Sequence, residues 1–300
     1  MQINQQKTFL PVIALIIGVI ALGFSAMFIR WATVPGPVTS FYRNLFALVI
    51  LTPFVITKRQ QSLDKTALVF PILGGIFTAL DISLWSIAVQ TTSAGTATLL
   101  NGTAPLWVAL TAWVIFKERL GRKFWLGLVL TLAGAGLITS IDFSIHTRLG
   151  IGDGLALVSG FFYAAYFLST QKGRRRIGAL NYIWIVGFST LVGLLIINLV
   201  LGYPLLGFPE KNWWIFISYA LAGQLIGYTS LTYALGHLPA SIVAPTMVGQ
   251  PILTILAAIP LLGEIPGPVQ IIGSILALIG IYLVHQAYQK QNAQIPVTTT

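Results

Sequence analysis

The chain has no cysteine and only three histidines, and just seven of its 300 residues are acidic. The missing cysteines exclude disulfides, thiolate chemistry and cysteine-based metal sites, while leaving the redox compartment open. His146, His237 and His285 have no spacing that would join them at a metal, so neither a metal nor any other cofactor is expected. Charge is scarce in both signs, at 8% of residues against roughly 25% in soluble domains. A globule of this length cannot be covered with polar surface from so small a stock, and the chain belongs in a bilayer.

Hydrophobic residues make up 56% of the sequence and gather into ten stretches, at 10–30, 37–57, 67–90, 94–116, 121–141, 150–170, 180–200, 212–236, 239–263 and 266–288. Most are near the roughly 20 residues that a helix needs to cross the hydrocarbon at about 1.5 Å per residue. A transmembrane barrel would show alternating segments of about 10 residues instead, and there are none. The first stretch follows Lys7 and is longer than the apolar core of a secretion signal. It ends at Arg30 without a cleavage-type motif and reads as a retained helix.

The net charge of +10 is sorted rather than spread. With ten crossings, Lys7, Lys58, Arg59, Lys65, Lys117, Arg119, Arg122, Lys123, Lys172, Arg174, Arg175, Arg176 and Lys290 fall on the side of both termini. Only Arg30, Arg148 and Lys211 fall on the other. The positive-inside rule then makes both termini cytoplasmic, and short loops explain the Arg174–Arg176 run without a nucleic-acid partner.

The chain is also written twice. Pro105 pairs with Pro251, an offset of 146 (251 − 105), and the same offset pairs Glu118 with Glu264, Gly121 with Gly267, Gly127 with Gly273 and Gly134 with Gly280. Proline and glycine restrict or free the backbone, and a glutamate is costly in an apolar setting, so the coincidence is not one of composition. Five crossings separate equivalent positions, an odd number, and the halves are therefore expected to be inverted. The expected fold is all-α and integral to the membrane: ten transmembrane helices in two inverted five-helix repeats, at 1–141 and 142–288, with 289–300 a disordered cytoplasmic tail.

The run ALDISLWSIAVQTTSAGTATLLNGTAPLWVALTAWVIFKERLG from Ala79, with its echo YALGHLPASIVAPTMVGQPILTILAAIPLLGEIPG, resembles the paired modules of the drug/metabolite transporter superfamily in its ten-helix EamA branch. The likeness is strongest over Leu80–Leu137 and Tyr233–Leu283. It implies an inner-membrane carrier, commonly an exporter of amino acids or other small metabolites, and it leaves the substrate open.

Intramembrane polar residues mark where a site would lie. Asp81 is the one carboxylate well inside a predicted helix, about 20 Å from the start of the third crossing. Arg43 and Asn101 lie roughly 8 and 10 Å deep from the opposite side, at the same level. An Asp81–Arg43 ion pair would relieve both charges, either as a structural lock or as a site in which Asp81 takes a substrate ammonium or a coupling proton and Arg43 a carboxylate. Helical spacing adds Trp85 to Asp81, Thr98 to Asn101, and the pairs Tyr163 and Tyr166, Gln224 and Tyr228, and Thr246 and Gln250. Packing with one hydrogen bond is the plain alternative for each aromatic. Pro105 and Pro251 free helix carbonyls and are candidate gating kinks.

A small-molecule substrate, the bilayer and a candidate coupling proton are the expected partners, with one chain supplying both halves as a monomer. A membrane transferase would need paired acids or a nucleophile with its base, and no G-x-S-x-G, H-E-x-x-H or P-loop pattern is present. A channel would need rings of like polar residues. An enzyme is not expected.

Overall fold

The computed structural model describes residues 3–57, 65–92, 94–118, 120–145, 150–250, 252–253 and 267–293, and all regular structure among them is helical. In order these are α1 (Ile3–Gly23), α2 (Ser25–Trp31), α3 (Gly36–Thr57), α4 (Val69–Thr91), α5 (Ala94–Asn101), α6 (Ala104–Val114), α7 (Arg122–Ile145), α8 (Ile151–Gly173) and α9 (Ala179–Val200). Then come α10 (Glu210–Tyr219), a π-helical segment (Ala220–Tyr228), α11 (Thr229–Leu235), α12 (Ala240–Met247) and α13 (Pro268–Ala293). Six helical runs, Phe9–Trp31, Gly36–Thr57, Thr66–Thr91, Ile151–Gly173, Ala179–Val200 and Pro268–Lys290, are long and apolar enough to cross a membrane. Pro251, Glu264 and His146 lie outside the described residues.

The helices are apolar outward, unlike those of a water-soluble fold, and bury many of their polar side chains beside an apolar core. Helix α3 buries Thr39, Ser40, Arg43 and Asn44 while Val49, Phe54 and Ile56 are 59–73% exposed. Lipid tails solvate such a surface as well as a core would, so helices gain nothing by hiding leucine and are held by close packing and internal hydrogen bonds. Helix α4 lies against α8 and α9, the run from α10 to α11 lies against α1 and α3, and α7 runs along α13.

The contact between α7 and α13 is made of backbone. A Cβ on Gly134 would stand 2.4 Å from Ala277 N, and one on Gly280 2.4 Å from Thr131 N. Gly127 faces Gly280, and Gly273 faces Gly134, at 2.8 and 2.7 Å from a carbonyl oxygen by the same construction. Rising numbers on one helix meet falling numbers on the other, so the two run antiparallel. Each contact also has its counterpart at the 146-residue offset. Only hydrogen at these four positions lets the backbones meet.

Several boundaries differ from the sequence-based expectation. The fourth stretch is interrupted at Gly102–Thr103, so that Pro105 sits in the first turn of α6, where its missing N–H costs no bond within that helix. The eighth stretch contains the π segment. Helix α7 continues to Ile145 and α13 to Ala293, into segments read as loop and tail, because helical hydrogen bonding does not stop where apolar sequence does.

Replacing Gly134 by leucine is expected to remove the folded protein from detergent extracts or to lower its unfolding midpoint sharply, since overpacking costs about 1–3 kcal/mol even where side chains can yield. Gly136, whose added Cβ would meet nothing within 4 Å, is the control. Gly136→Ala should be neutral or slightly stabilising, and equal midpoints for the two variants would contradict the packing described.

Candidate functional site

A cavity of about 50 Å³ lies among the helices, and eight of the predicted residues line it: Arg43, Asp81, Trp85, Thr98, Asn101, Tyr163, Tyr228 and Gln250. Ser25 and Tyr219 complete its polar wall. An adjoining cavity of about 30 Å³ shares Thr98, Asn101, Tyr163 and Gln250 and reaches Pro105.

Asn101 is placed by the break in the fourth stretch. Pro105 has no N–H to give the Asn101 carbonyl, the helix stops, and α8 fills the gap: a Cβ on Gly160 would stand 2.9 Å from Asn101 O. With α5 ending there, the Asn101 amide donates through Nδ2 to Asp81 Oδ1 and to Ser159 Oγ, each at 2.9 Å. Ser159 Oγ passes its own proton to Ala156 O at 2.7 Å. One amide thus ties α4 to α8.

Arg43 is 1% exposed and does not pair with Asp81. Its Nη1 donates to Tyr219 Oη at 3.1 Å, and its guanidinium carbon lies 4.9 Å from the Tyr219 ring centre and 5.0 Å from that of Tyr228. Desolvated cation–π contacts are worth about 2 kcal/mol each, which replaces part of what an ion pair would supply. The expected ion pair does not form: the guanidinium is engaged by the two tyrosines and the Asp81 carboxyl by the Asn101 amide. Arg43 Nε and Nη2 have no hydrogen-bond partner among the described residues.

The two rings face one guanidinium because of the π segment. Tyr219 and Tyr228 are nine residues apart, which at about 100° per residue puts them on opposite sides of an α-helix. Bonding from i to i+5 widens the turn to roughly 80° per residue and brings them back to one side. Tyr219 is further fixed by stacking on Phe28, 5.1 Å between ring centres.

Three predicted residues lie elsewhere. The Tyr166 hydroxyl is 3.2 Å from Thr232 Oγ1 in the core. Gln224 is buried within the π segment, outside the cavity lining. Thr246 Oγ1 lies 2.8 Å from Ile242 O and 2.8 Å from His285 Nε2, because α12 ends at Met247 and the four-residue spacing to Gln250 no longer keeps one face. The kink residue Pro251 lies outside the described residues.

Helix α3 and the connection before it are held against α10 and the loop that precedes it. Asn212 Oδ1 accepts the Thr33 N–H at 3.1 Å, and its Nδ2 donates to Thr33 Oγ1 at 3.0 Å. Tyr42 stacks on Phe216 at 4.8 Å, packs edge-on against Trp213 at 5.1 Å, and donates its hydroxyl to Leu205 O.

Apolar helices enclosing a guanidinium and a carboxyl group in one cavity define a polytopic membrane protein with a polar interior. The model of the EamA-like transporter family matches residues 9–140 and 150–286, and the chain belongs to that family. It is 24% identical over 254 residues to the uncharacterized transporter YdfC of Bacillus subtilis, covering 84% of this chain and 82% of that protein. It is 28% identical over 228 residues to an uncharacterized transporter of Synechocystis, covering 72% and 65%. A solved crystal structure aligns over 96% of this chain and 99% of its own at a TM-score of 0.74 and 15% identity, a likeness of fold alone.

Asn101→Ala should lower the unfolding free energy by about 1–3 kcal/mol, because it strips the donor from a buried carboxylate and a buried hydroxyl at once. Thermal unfolding in detergent checks this, and an unchanged midpoint would contradict the bridging role.

Proposed function

We propose that the chain is a secondary carrier that moves a small metabolite bearing a carboxylate and an ammonium group, such as an amino acid, outward across the inner membrane by alternating access. Ten crossings in two inverted repeats, with both termini in the cytoplasm, form its frame, and one chain is the working unit. The paired glycine contacts between α7 and α13, and the two stretches matched by the family model, support that frame.

The observation that carries the proposal is the shared cavity. Arg43, Asp81 and Asn101 enter it from one half of the chain and Tyr163, Tyr228 and Gln250 from the other. Polar groups are expensive at this depth, and groups from both halves around one cavity are what a carrier needs if relative motion of the halves is to expose the site to each side in turn. In this account Arg43 takes the carboxylate with the N–H groups left free, Asp81 takes the ammonium or a coupling proton, and the aromatic rings hold the apolar part.

Counterflow of labelled amino acids in proteoliposomes tests this. Asp81→Asn and Arg43→Gln should each cut uptake about tenfold or more, the factor that corresponds to about 1.4 kcal/mol of lost binding, while unfolding remains cooperative. Normal counterflow by both variants would overturn the site.

A further inference from the structure

A broad cavity of about 930 Å³ lies on the face that carries the basic loops, and neither the inner site nor the family accounts for it. Arg122 and Lys123 of α7, Arg175 just beyond α8, and Lys290 of α13 all line it and are all exposed. Glu118 is the only carboxylate among the described residues of the lining, and its Oε2 already accepts the Ser241 hydroxyl at 3.3 Å. Four cations therefore stand against one engaged carboxylate, and none of the four has an acidic partner among the described residues. The floor is apolar, made of Phe124, Leu235, Leu238 and Ile242, each no more than 4% exposed.

The tendency of basic residues to collect in cytoplasmic loops explains their presence on this face but not their convergence. Three segments far apart in sequence bring like charges to one concavity. Two of these charges occupy the first two positions of α7, where the helix dipole is already positive and cations are disfavoured. Both costs are relieved by an anion in the cavity, and low-dielectric walls concentrate the attraction there. The volume falls within the range of small-molecule sites and far exceeds a single small ion.

We propose that this cavity is an anion-binding site for soluble metabolites carrying two or more carboxylate or phosphate groups, separate from the inner cavity and independent of the carrier reading above. Arg174, beside Arg175, takes no part in it: its Nε donates to Thr232 O at 3.2 Å, and its Nη1 donates to Ile177 O, which fixes the loop.

Citrate is the probe, added to the purified full chain in uncharged detergent, with thermal unfolding read against sodium chloride at matched ionic strength. Citrate should raise the midpoint saturably where chloride does not, because a ligand of the native state alone stabilises it. Arg122→Gln combined with Arg175→Gln should weaken the half-saturating concentration about tenfold or more. If that pair does not fold, Lys123→Gln with Lys290→Gln serves instead, and calorimetric titration of the unaltered chain gives an independent reading. Absence of a citrate effect, or an unchanged effect in the variants, overturns the anion site.

An anionic lipid headgroup offers the same chemistry. Nanodiscs of phosphatidylcholine are therefore compared with equimolar phosphatidylcholine and phosphatidylglycerol. Stabilisation by phosphatidylglycerol without any by citrate also overturns the proposal. Failed counterflow with an intact citrate shift would remove the carrier reading and leave the anion site standing.

Discussion

A guanidinium that cannot be neutralised, held at 1% exposure among apolar helices, is the constraint around which the interior is arranged. The usual relief is a carboxylate, and Asp81 lines the same cavity. The fold instead gives Arg43 two tyrosine rings and one tyrosine hydroxyl, and it gives Asp81 the amide of Asn101. A guanidinium and a carboxyl group then face one cavity without pairing, which leaves both able to act on a third body. The π segment follows from that choice, since without its wider turn only one of the two rings could reach the arginine.

The scaffold is repeated but the chemistry is not. Gly127 against Gly280 and Gly134 against Gly273 exchange equivalent positions, the pattern a two-fold relation between the halves would give. At the same offset Asp81 corresponds to Gly227 and Asn101 to Met247. An aspartate at Gly227 would have to displace the Leu22 side chain of α1, which an added Cβ would meet at 2.8 Å. The position that carries a charge in one half is a close helix contact in the other, so the charges gather on one side of the proposed axis.

The sequence revealed what depends on composition and spacing along straight helices. The glycines that marked the repeat are the ones that make the tight contact, and depth arithmetic at about 1.5 Å per residue set Arg43, Asp81 and Asn101 at a common level. The rest failed where a helix is not an α-helix. Tyr219 was invisible because a π turn re-aims it, and Thr246 was placed wrongly because α12 ends before Gln250. Ser159 and Ser25 gave no signal, since serine is as common in packing as in binding and neither shares a helical stripe with a charged residue. Pro105 drew attention for the right reason, a lost hydrogen bond, yet it works by ending α5 at Asn101 rather than by bending a continuous helix.

The central claim is that one cavity, bordered by Arg43 and Asp81, meets each side of the membrane in turn. The absence of native cysteine makes it directly measurable. Ser25→Cys places the only thiol in the cavity wall, to be probed with a membrane-impermeant maleimide in right-side-out and in inverted vesicles. The account predicts that the thiol is labelled from either face when tested separately, with saturating substrate changing the ratio of the two rates. Labelling from one face only, under every condition, would contradict it.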